Sequence, residues 1–305
     1  MRTLVTGATG LFGKRLLSRL KEPVVLSRDP ARARERLKVA LAYPWLPEAG
    51  PPPAAAFEGV DVVISLAGEP IAEGRWTPEK KRRIRESRII GTRNLVAGLA
   101  GLATPPRVLV SASAVGYYGD RGDEELDESS GPGTGFLAEV CAAWEKEAMA
   151  AEQLGMRVAC IRTGIVLAPD GGALRKMLPL FRWGLGGRLG SGRQWMPWIH
   201  IDDVIGIILH AAGNERVRGP INACGPHPVT NAEFTRELGR ALGRPTCLPA
   251  PAFMLRMVFG EMSSVLVCSQ KVRPTVALST NYTFAHTDLP TALRNLFAKP
   301  QRPHP

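Results

Sequence analysis

Long apolar runs are what this 305-residue chain lacks first. None approaches the roughly 18 uncharged residues that would cross a bilayer, so the reading expects no membrane-spanning segment and no membrane partner. Cysteines are few: Cys141, Cys160, Cys224, Cys247 and Cys268 are scattered, odd in number and never spaced as C-x-x-C. That excludes a disulfide framework or a zinc ribbon and predicts a reducing, cytoplasmic setting. Met1-Arg2-Thr3-Leu4-Val5-Thr6 runs straight into a glycine loop, which leaves no apolar h-region for a secretory signal. Tyrosine is scarce, and none is followed four places on by lysine: the residues four after Tyr43, Tyr117, Tyr118 and Tyr282 are Pro47, Arg121, Gly122 and His286.

Acidic charge is also short, with 28 Asp and Glu against 39 Lys and Arg and a formal charge of +11. The cations concentrate in Arg28 to Lys38, Lys80 to Arg93 and, more thinly, Arg175 to Arg193, and an acidic stretch runs from Asp120 to Glu128. Such a balance suits nucleic acid, an anionic small ligand, or solvated helix faces. The Lys80-Lys81-Arg82-Arg83-Arg85 run has no interleaved aromatics to stack on bases, which argues against a nucleic-acid partner.

What is present is a regular alternation. Thr3 to Thr6, Pro23 to Ser27, Asp61 to Ala67, Arg107 to Ser111 and Met156 to Ile161 are short apolar runs rich in β-branched residues. Between them Phe12, Leu16, Leu17 and Leu20, then Ile84, Ile89, Ile90, Leu95 and Val96, then a stretch over about 136–154, recur at helical spacing. This predicts an α/β fold, a Rossmann-type doubly wound parallel sheet covered on both faces. After about residue 170 the pattern loosens, with Gly184, Gly186, Gly187, Gly190 and Gly192 close together. The reading divides the chain into a dinucleotide-binding domain, 1–170, and a smaller C-terminal substrate lobe with an extension, 171–305, whose elements can return to the first. Helices are expected over about 202–212 and 231–242, and Lys299 to Pro305 reads as a frayed end.

Thr6-Gly7-Ala8-Thr9-Gly10-Leu11-Phe12-Gly13 sets G-x-x-G-x-x-G directly after the first strand. Gly7 permits the tight turn, Gly10 lets backbone N–H groups approach a pyrophosphate, and Gly13 lets helix and strand pack closely. The helix start adds donors for an anion. Gly7, Thr9, Gly10, Leu11, Phe12 and Gly13 are therefore predicted to line a dinucleotide site. At the end of the second strand an NAD site carries an acid and an NADP site an arginine. Leu26-Ser27-Arg28-Asp29 reads as NADP(H), with Arg28 on the 2′-phosphate and Ser27 adding a hydrogen bond. The alternative is an arginine that caps or solvates the next helix.

Five further motifs join these: Ser65-Leu66-Ala67-Gly68-Glu69-Pro70, Glu86 to Thr92, Ser111-Ala112-Ser113, Arg162-Thr163-Gly164-Ile165-Val166-Leu167 and Pro197 to Asp203. Over nearly its whole length the chain resembles an atypical extended short-chain dehydrogenase/reductase, the "epimerase family" branch with its own C-terminal extension. The resemblance implies an NADP(H)-dependent oxidoreductase or epimerase acting on a small anionic metabolite. It adds Leu66, Ala67, Gly68, Glu69, Arg88 and Val166 to the cofactor site. It also marks a gap. The superfamily's Tyr-x-x-x-Lys pair falls on Phe136 and Val140, and neither carries a titratable proton. Arg88, three residues before Gly91, stands where the superfamily often has asparagine.

Counting from the fourth strand, Ser113 falls at the superfamily's catalytic serine; counting back from Tyr118-Gly119-Asp120 shifts the match by one residue. Ser113, Tyr117 and Tyr118 are the candidate catalytic residues, with Glu69, Glu139 and His200 as other proton carriers. Structural alternatives stand beside them: a strand-end serine bonded to backbone, tyrosines that pack a loop, Glu139 on a helix surface, and His200 inside a strand. His200-x-Asp202-Asp203 reads as the capped start of a helix, and no metal is expected. Gly184 to Trp195 resembles the loop that closes over nucleotide-sugar substrates, with Arg188 and Arg193 for a phosphate or carboxylate and Trp195 and Trp198 as walls or core. Three functions stay open: the enzyme, a non-catalytic NADP(H) sensor or partner-binding protein, and an RNA-associated protein using Lys80 to Arg93. The reading leaves room for a homo-oligomer.

Overall fold

The computed structural model describes residues 1–298, so the reading of Lys299 to Pro305 as frayed lies outside the described residues. The first part of the chain alternates β1 (Thr3–Thr6), α1 (Leu11–Leu17), β2 (Val24–Ser27), α2 (Pro30–Leu37), β3 (Leu41–Pro44), β4 (Val62–Ser65), α3 (Pro78–Ala100) and β5 (Val108–Ala114). Then come β6 (Glu125–Leu126), α4 (Phe136–Met149), β7 (Arg157–Thr163), β8 (Ile165–Leu167), α5 (Gly172–Arg182), β9 (Trp195–Met196), β10 (Trp198–His200), α6 (Ile201–Gly213) and β11 (Gly219–Ala223). The last part holds β12 (Val229–Thr230), α7 (Asn231–Leu242), α8 (Ala252–Phe259), α9 (Ser263–Val267), β13 (Lys271–Val272), α10 (Thr275–Ser279) and α11 (Leu289–Phe297).

The continuous apolar runs become strands because helices cover both faces of a parallel sheet and no alternation is needed. All four residues of β1 and of β4 are buried. The seven-stranded parallel sheet has the order β11-β7-β5-β4-β1-β2-β3. α1 and α6 cover one face through Leu16, Leu17, Val204, Ile205 and Ile208; α3 and the end of α4 cover the other through Leu95, Leu99 and Ala148. β1 pairs with β2 on one side and with β4 on the other, so the winding reverses there and a crevice opens beyond their carboxyl ends. The edge strand β3 was missed from sequence: Leu41-Ala42-Tyr43-Pro44 is short and ends in proline, which an edge tolerates.

A second apolar cluster, with Leu174, Leu178, Phe181, Trp198, Phe234, Leu238 and Leu293, joins α5, α7 and α11 into the smaller lobe. α6 and β11 return to the main sheet, so the two lobes interleave along the chain. α7 starts with a reciprocal cap between Thr230 and Glu233 and has the bounds read from sequence. α6 differs: its cap is His200, whose Nδ1 accepts the Asp202 N–H at 3.1 Å, rather than either acid. Asp203 is buried instead and accepts from the N–H groups of Ala285 and His286 and from the Tyr282 hydroxyl, pinning the tail to α6.

The tail also straps the loop after β5. β13 pairs with β6, Gln270 Nε2 donates to the carbonyls of Val115 and Gly119, and the Ser269 hydroxyl donates to the Gly122 carbonyl. Among the described residues no helix is long and apolar enough to cross a membrane.

Candidate functional site

The crevice at the carboxyl ends of β1 and β4 is built around Gly7. Its φ is +66°, and a Cβ there would sit 2.7 Å from the Leu66 carbonyl carbon, so only glycine lets the two strand ends meet. Thr6 ties them: its buried hydroxyl accepts the N–H groups of Leu66 and Ala67, both at 3.1 Å. The sequence reading passed over Thr6, although a short hydroxyl residue just ahead of the glycine loop was the available signal. Gly13 brings α1 onto the loop, since its Cβ would lie 2.5 Å from the Ala8 Cα. Thr9 and Gly10 are exposed at the tip, Phe12 packs into the core beneath, and the Leu11 side chain reaches Gly171, beside buried Val166 on β8.

At the end of β2, Asp29 caps α2 by accepting the Arg32 N–H. Arg28 is therefore not the cap. It is exposed, and among the described residues no carboxylate lies within ion-pair distance of it. Arg28 lines a cavity of about 390 Å³ with Pro44 at the end of β3 and Trp45, Leu46 and Pro51 from the loop after it, a wall the sequence reading did not name. Ser27 is turned into its own backbone: its hydroxyl donates to the Asp29 carbonyl and accepts the Asp29 N–H.

The three catalytic candidates land in different places. Ser113, on β5, is buried and donates to Glu145 Oε1 at 2.6 Å. Arg162 grips the same carboxylate through Nε and Nη2 at 2.9 and 2.8 Å, and its Nη1 donates to the Tyr118 hydroxyl. Tyr118 is wholly buried, and its hydroxyl lies between two acceptors, Asn222 Oδ1 at 2.8 Å and the Asp127 carbonyl at 2.9 Å, which share its single proton. Burial raises its pKa above the ordinary phenol value. Tyr118 is thus a strut of the wall with no proton to offer the crevice. Tyr117 is half-buried with the Arg162 guanidinium 3.5 Å from its ring centroid, and Arg121 turns to Glu124 instead of to Tyr117.

The gap in the Tyr-x-x-x-Lys pattern has a packing explanation. Phe136 meets Trp76 edge-on at 5.3 Å and belongs to an apolar cluster with Ile71, Ile84, Phe259 and Met262. Phe259 and Met262 come from the C-terminal segment, which Arg75 holds by donating to the carbonyls of Met257 and Val258. Val140 is buried. The segment that seals this corner needs an apolar ring where the superfamily keeps a phenol. A cavity of about 560 Å³ lies beside Phe136, lined by Trp76, Lys81, Arg82, Arg85, Glu139 and Glu261.

Arg88 reaches the same region from α3. Its Nη1 donates to the carbonyls of Glu69 and Ile84, its Cζ lies 5.1 Å from the Trp144 ring centroid, and a Cβ on Gly68 would meet it at 3.2 Å. Burial lowers its pKa, and among the described residues it has no ion-pair partner. Beside Cys141 and Trp144, it brings a cation to the turn of α4 that lacks the lysine. Glu69 faces the other way: its carboxylate bonds Lys80 at 2.7 Å, and that hydrogen bond holds it below the usual carboxylate range. The backbone of Leu66 and Ala67 lies against Gly7, and that of Gly68 and Glu69 against Arg88.

The other proton carriers stand apart. Glu139 is exposed and paired with Arg85. His200 stacks on His286 with ring centroids 3.7 Å apart, and burial, then the neighbouring His286, push its pKa down to about 4. Donor atoms of His200, Asp202 and His286 lie within 4.8 Å of one another, with the two rings tilted by 34°, a grouping that the sequence, in which His286 stands far from the other two, did not reveal. Trp198 is core, and Trp195 is half-buried with Nε1 on Asp123. In the basic run of α3, Lys80, Lys81, Arg83, Arg85 and Arg93 are each paired with a glutamate, so much of that charge is compensated internally.

Residues 3–224 match the model of the NAD dependent epimerase/dehydratase family, and residues 250–296 match DUF1731, a domain of unknown function. The chain is 41% identical over 304 residues to Epimerase family protein Mb2239 of Mycobacterium bovis, covering 97% of each. It is 41% identical over 301 residues to the chloroplastic Epimerase family protein SDR39U1 homolog of Arabidopsis thaliana, covering 96% of this chain and 86% of that one. The crystal structure of human epimerase family protein SDR39U1 (isoform 2) with NADPH superposes with a TM-score of 0.85 at 34% identity, over 97% of this chain and 99% of that one. A UDP-glucuronic acid 4-epimerase from Bacillus cereus, in complex with UDP-glucuronic acid and NAD, shares the fold at 16% identity and a TM-score of 0.74.

Proposed function

The chain belongs to the NAD dependent epimerase/dehydratase family, as an extended short-chain dehydrogenase/reductase with a DUF1731 extension, and from that premise we propose that it binds NADP(H) and acts as an oxidoreductase or epimerase on a small anionic metabolite. The observation that carries the choice of cofactor is Arg28: an exposed guanidinium without a carboxylate partner among the described residues, beside a cavity, where an NAD site would place an acid. A relative at 34% identity is described with NADPH, which agrees with that choice.

The residues fit such a cofactor. The Gly7 to Gly13 loop is free of side chains where a Cβ would clash, and suits a pyrophosphate. Arg28, with Ser27 beside it, would hold the 2′-phosphate, and the Leu66 to Glu69 backbone, Arg88 and Val166 would border the other half. The nicotinamide supplies hydride donation or acceptance when bound. Ser113 spends its own proton on Glu145, so toward the crevice it presents lone pairs that orient a substrate hydroxyl. Tyr117 is the remaining side chain on this loop that can move a proton there. Cations around the larger cavity, Arg82 foremost, favour a phosphate- or carboxylate-bearing substrate.

The packing of Phe136 and Val140 favours a second reading, an NADP(H) sensor without turnover. Calorimetric titration with NADPH and NADH tests the shared premise; equal affinities for the two would defeat the choice of NADP(H). Bound NADPH is then challenged with a panel of carbonyl-bearing phosphates and carboxylates. Its oxidation selects the enzyme, and tight binding with no oxidation selects the sensor.

A further inference from the structure

Exposed apolar surface is concentrated in one part of this molecule. Eight of the twelve large apolar side chains exposed among the described residues fall in two stretches, 171–195 and 243–260. Leu180, Trp183 and Leu185 stand at the end of α5, with Trp183 82% exposed. Leu248, Phe253, Met254, Met257 and Val258 lie on and before α8. At about 100° per residue, Phe253, Met257, Met254 and Val258 occupy one arc of roughly 140° on that helix. Leu255, on its other side, is the one buried residue of α8. The helix is amphipathic with its apolar face turned outward.

The two stretches lie side by side. Leu189 bridges Ala250, the Ala250 N–H donates to the Arg188 carbonyl at 2.9 Å, and the Gly190 N–H donates to the Ala250 carbonyl at 2.8 Å. Their charge is of one sign. The first carries Arg175, Lys176, Arg182, Arg188 and Arg193, the second Arg244 and Arg256, all exposed, and neither contains an aspartate or glutamate. The acids that bracket them, Asp170 and Glu261, are committed to Arg15 and Lys81. None of the eight apolar residues lines either cavity described above.

An outward apolar face on two stretches whose own charged side chains are all cationic is the kind of surface that settles into the headgroup region of an anionic bilayer. We propose that α8 and the end of α5 dock this protein peripherally on an anionic lipid surface, with Trp183, Phe253 and Met257 entering the interface and the seven cations meeting the headgroups. The sequence expectation of no membrane partner rested on the lack of a spanning segment; lying on a bilayer needs no such segment. The proposal is independent of the cofactor.

The full chain is sedimented with phosphatidylcholine vesicles with and without phosphatidylglycerol, at low and raised salt. It pellets with the anionic vesicles, stays in solution with the neutral ones, and is released by salt. Phe253→Glu with Met257→Glu abolishes pelleting, Arg182→Gln and Arg256→Gln each weaken it roughly fivefold, and Leu278→Glu, an exposed apolar site on α10, leaves it unchanged. Circular dichroism confirms that each variant is folded, as expected for substitutions of exposed side chains. No pelleting with anionic vesicles, or pelleting that the patch variants leave intact, overturns the proposal. So does a dimer in sedimentation velocity that Phe253→Glu with Met257→Glu dissolves, or RNA binding by the patch without vesicle binding.

Discussion

Ser113 and Glu145 meet across 2.6 Å, the serine donating and the carboxylate accepting, while Arg162 holds the same carboxylate from the other side. The three side chains are buried, so the arrangement obeys the rule that a buried charge must be paired. Their removal is not equivalent. Glu145→Gln leaves the Arg162 cation buried without its counter-charge and costs about 3–5 kcal/mol. Ser113→Ala removes one hydrogen bond from a carboxylate that keeps both arginine contacts, at about 1–2 kcal/mol. Urea denaturation of the two variants is expected in that order; equal losses would mean that Arg162 finds another partner.

Arg28 has no structural duty beyond solvation, because Asp29 caps α2. Arg28→Ala is therefore expected to leave stability unchanged and to weaken NADPH binding by about 1.5–3 kcal/mol, the range for hydrogen bonds to a charged group. NADH, which lacks the 2′-phosphate, binds the variant and the wild type alike. Calorimetry with both cofactors reads the difference.

Arg88 lies at the far end of the same crevice, and the two arginines separate by ligand. 2′,5′-ADP carries the phosphates near Arg28 and lacks the nicotinamide half. Arg88→Met is expected to weaken NADPH by about tenfold, one charge-assisted hydrogen bond, and to leave 2′,5′-ADP unaffected. Arg28→Ala weakens both. A loss of 2′,5′-ADP affinity in Arg88→Met would mean that the guanidinium only props the Gly68–Glu69 backbone it bonds.

Much of this was legible in the sequence, for reasons that can be named. Val62-Val63-Ile64 and Val108-Leu109-Val110 are buried on both faces, so composition alone marks them as strands of a covered parallel sheet. Gly7 and Gly13 were legible because backbone clash leaves no other residue there. Side-chain direction was not. Tyr117 and Tyr118 are neighbours of one type, and only the fold sends one hydroxyl to Asn222 and slides the other ring beneath Arg162. Glu145 was invisible because its partners, Ser113 and Arg162, come from two different strands. Phe136 showed as a missing phenol, while its cause lay more than a hundred residues away, in Phe259 and Met262.

His200 gives the fold a pH dependence of known sign. Its ring is buried against His286, and burial first, His286 second, push its pKa from the ordinary 6.5 down to about 4; Asp202, 3.6 Å away, only partly offsets this. An unfolded chain takes up the proton below pH 6.5, while the folded chain refuses it until about 4. Stability from this group is therefore complete above pH 6.5, falls as the pH drops toward 4, and is level below that, a loss on the order of 3 kcal/mol at most. His210, also lowered by burial, acts in the same direction, whereas Glu128 and Asp203, raised by burial, act in the opposite one. Comparison with His200→Asn isolates the histidine, because the asparagine oxygen can still accept the Asp202 N–H and keep α6 capped. Denaturation at pH 7.5 and pH 5 is expected to show a smaller acid loss in His200→Asn than in the wild type. An equal acid loss in the two proteins would place the titration on another group.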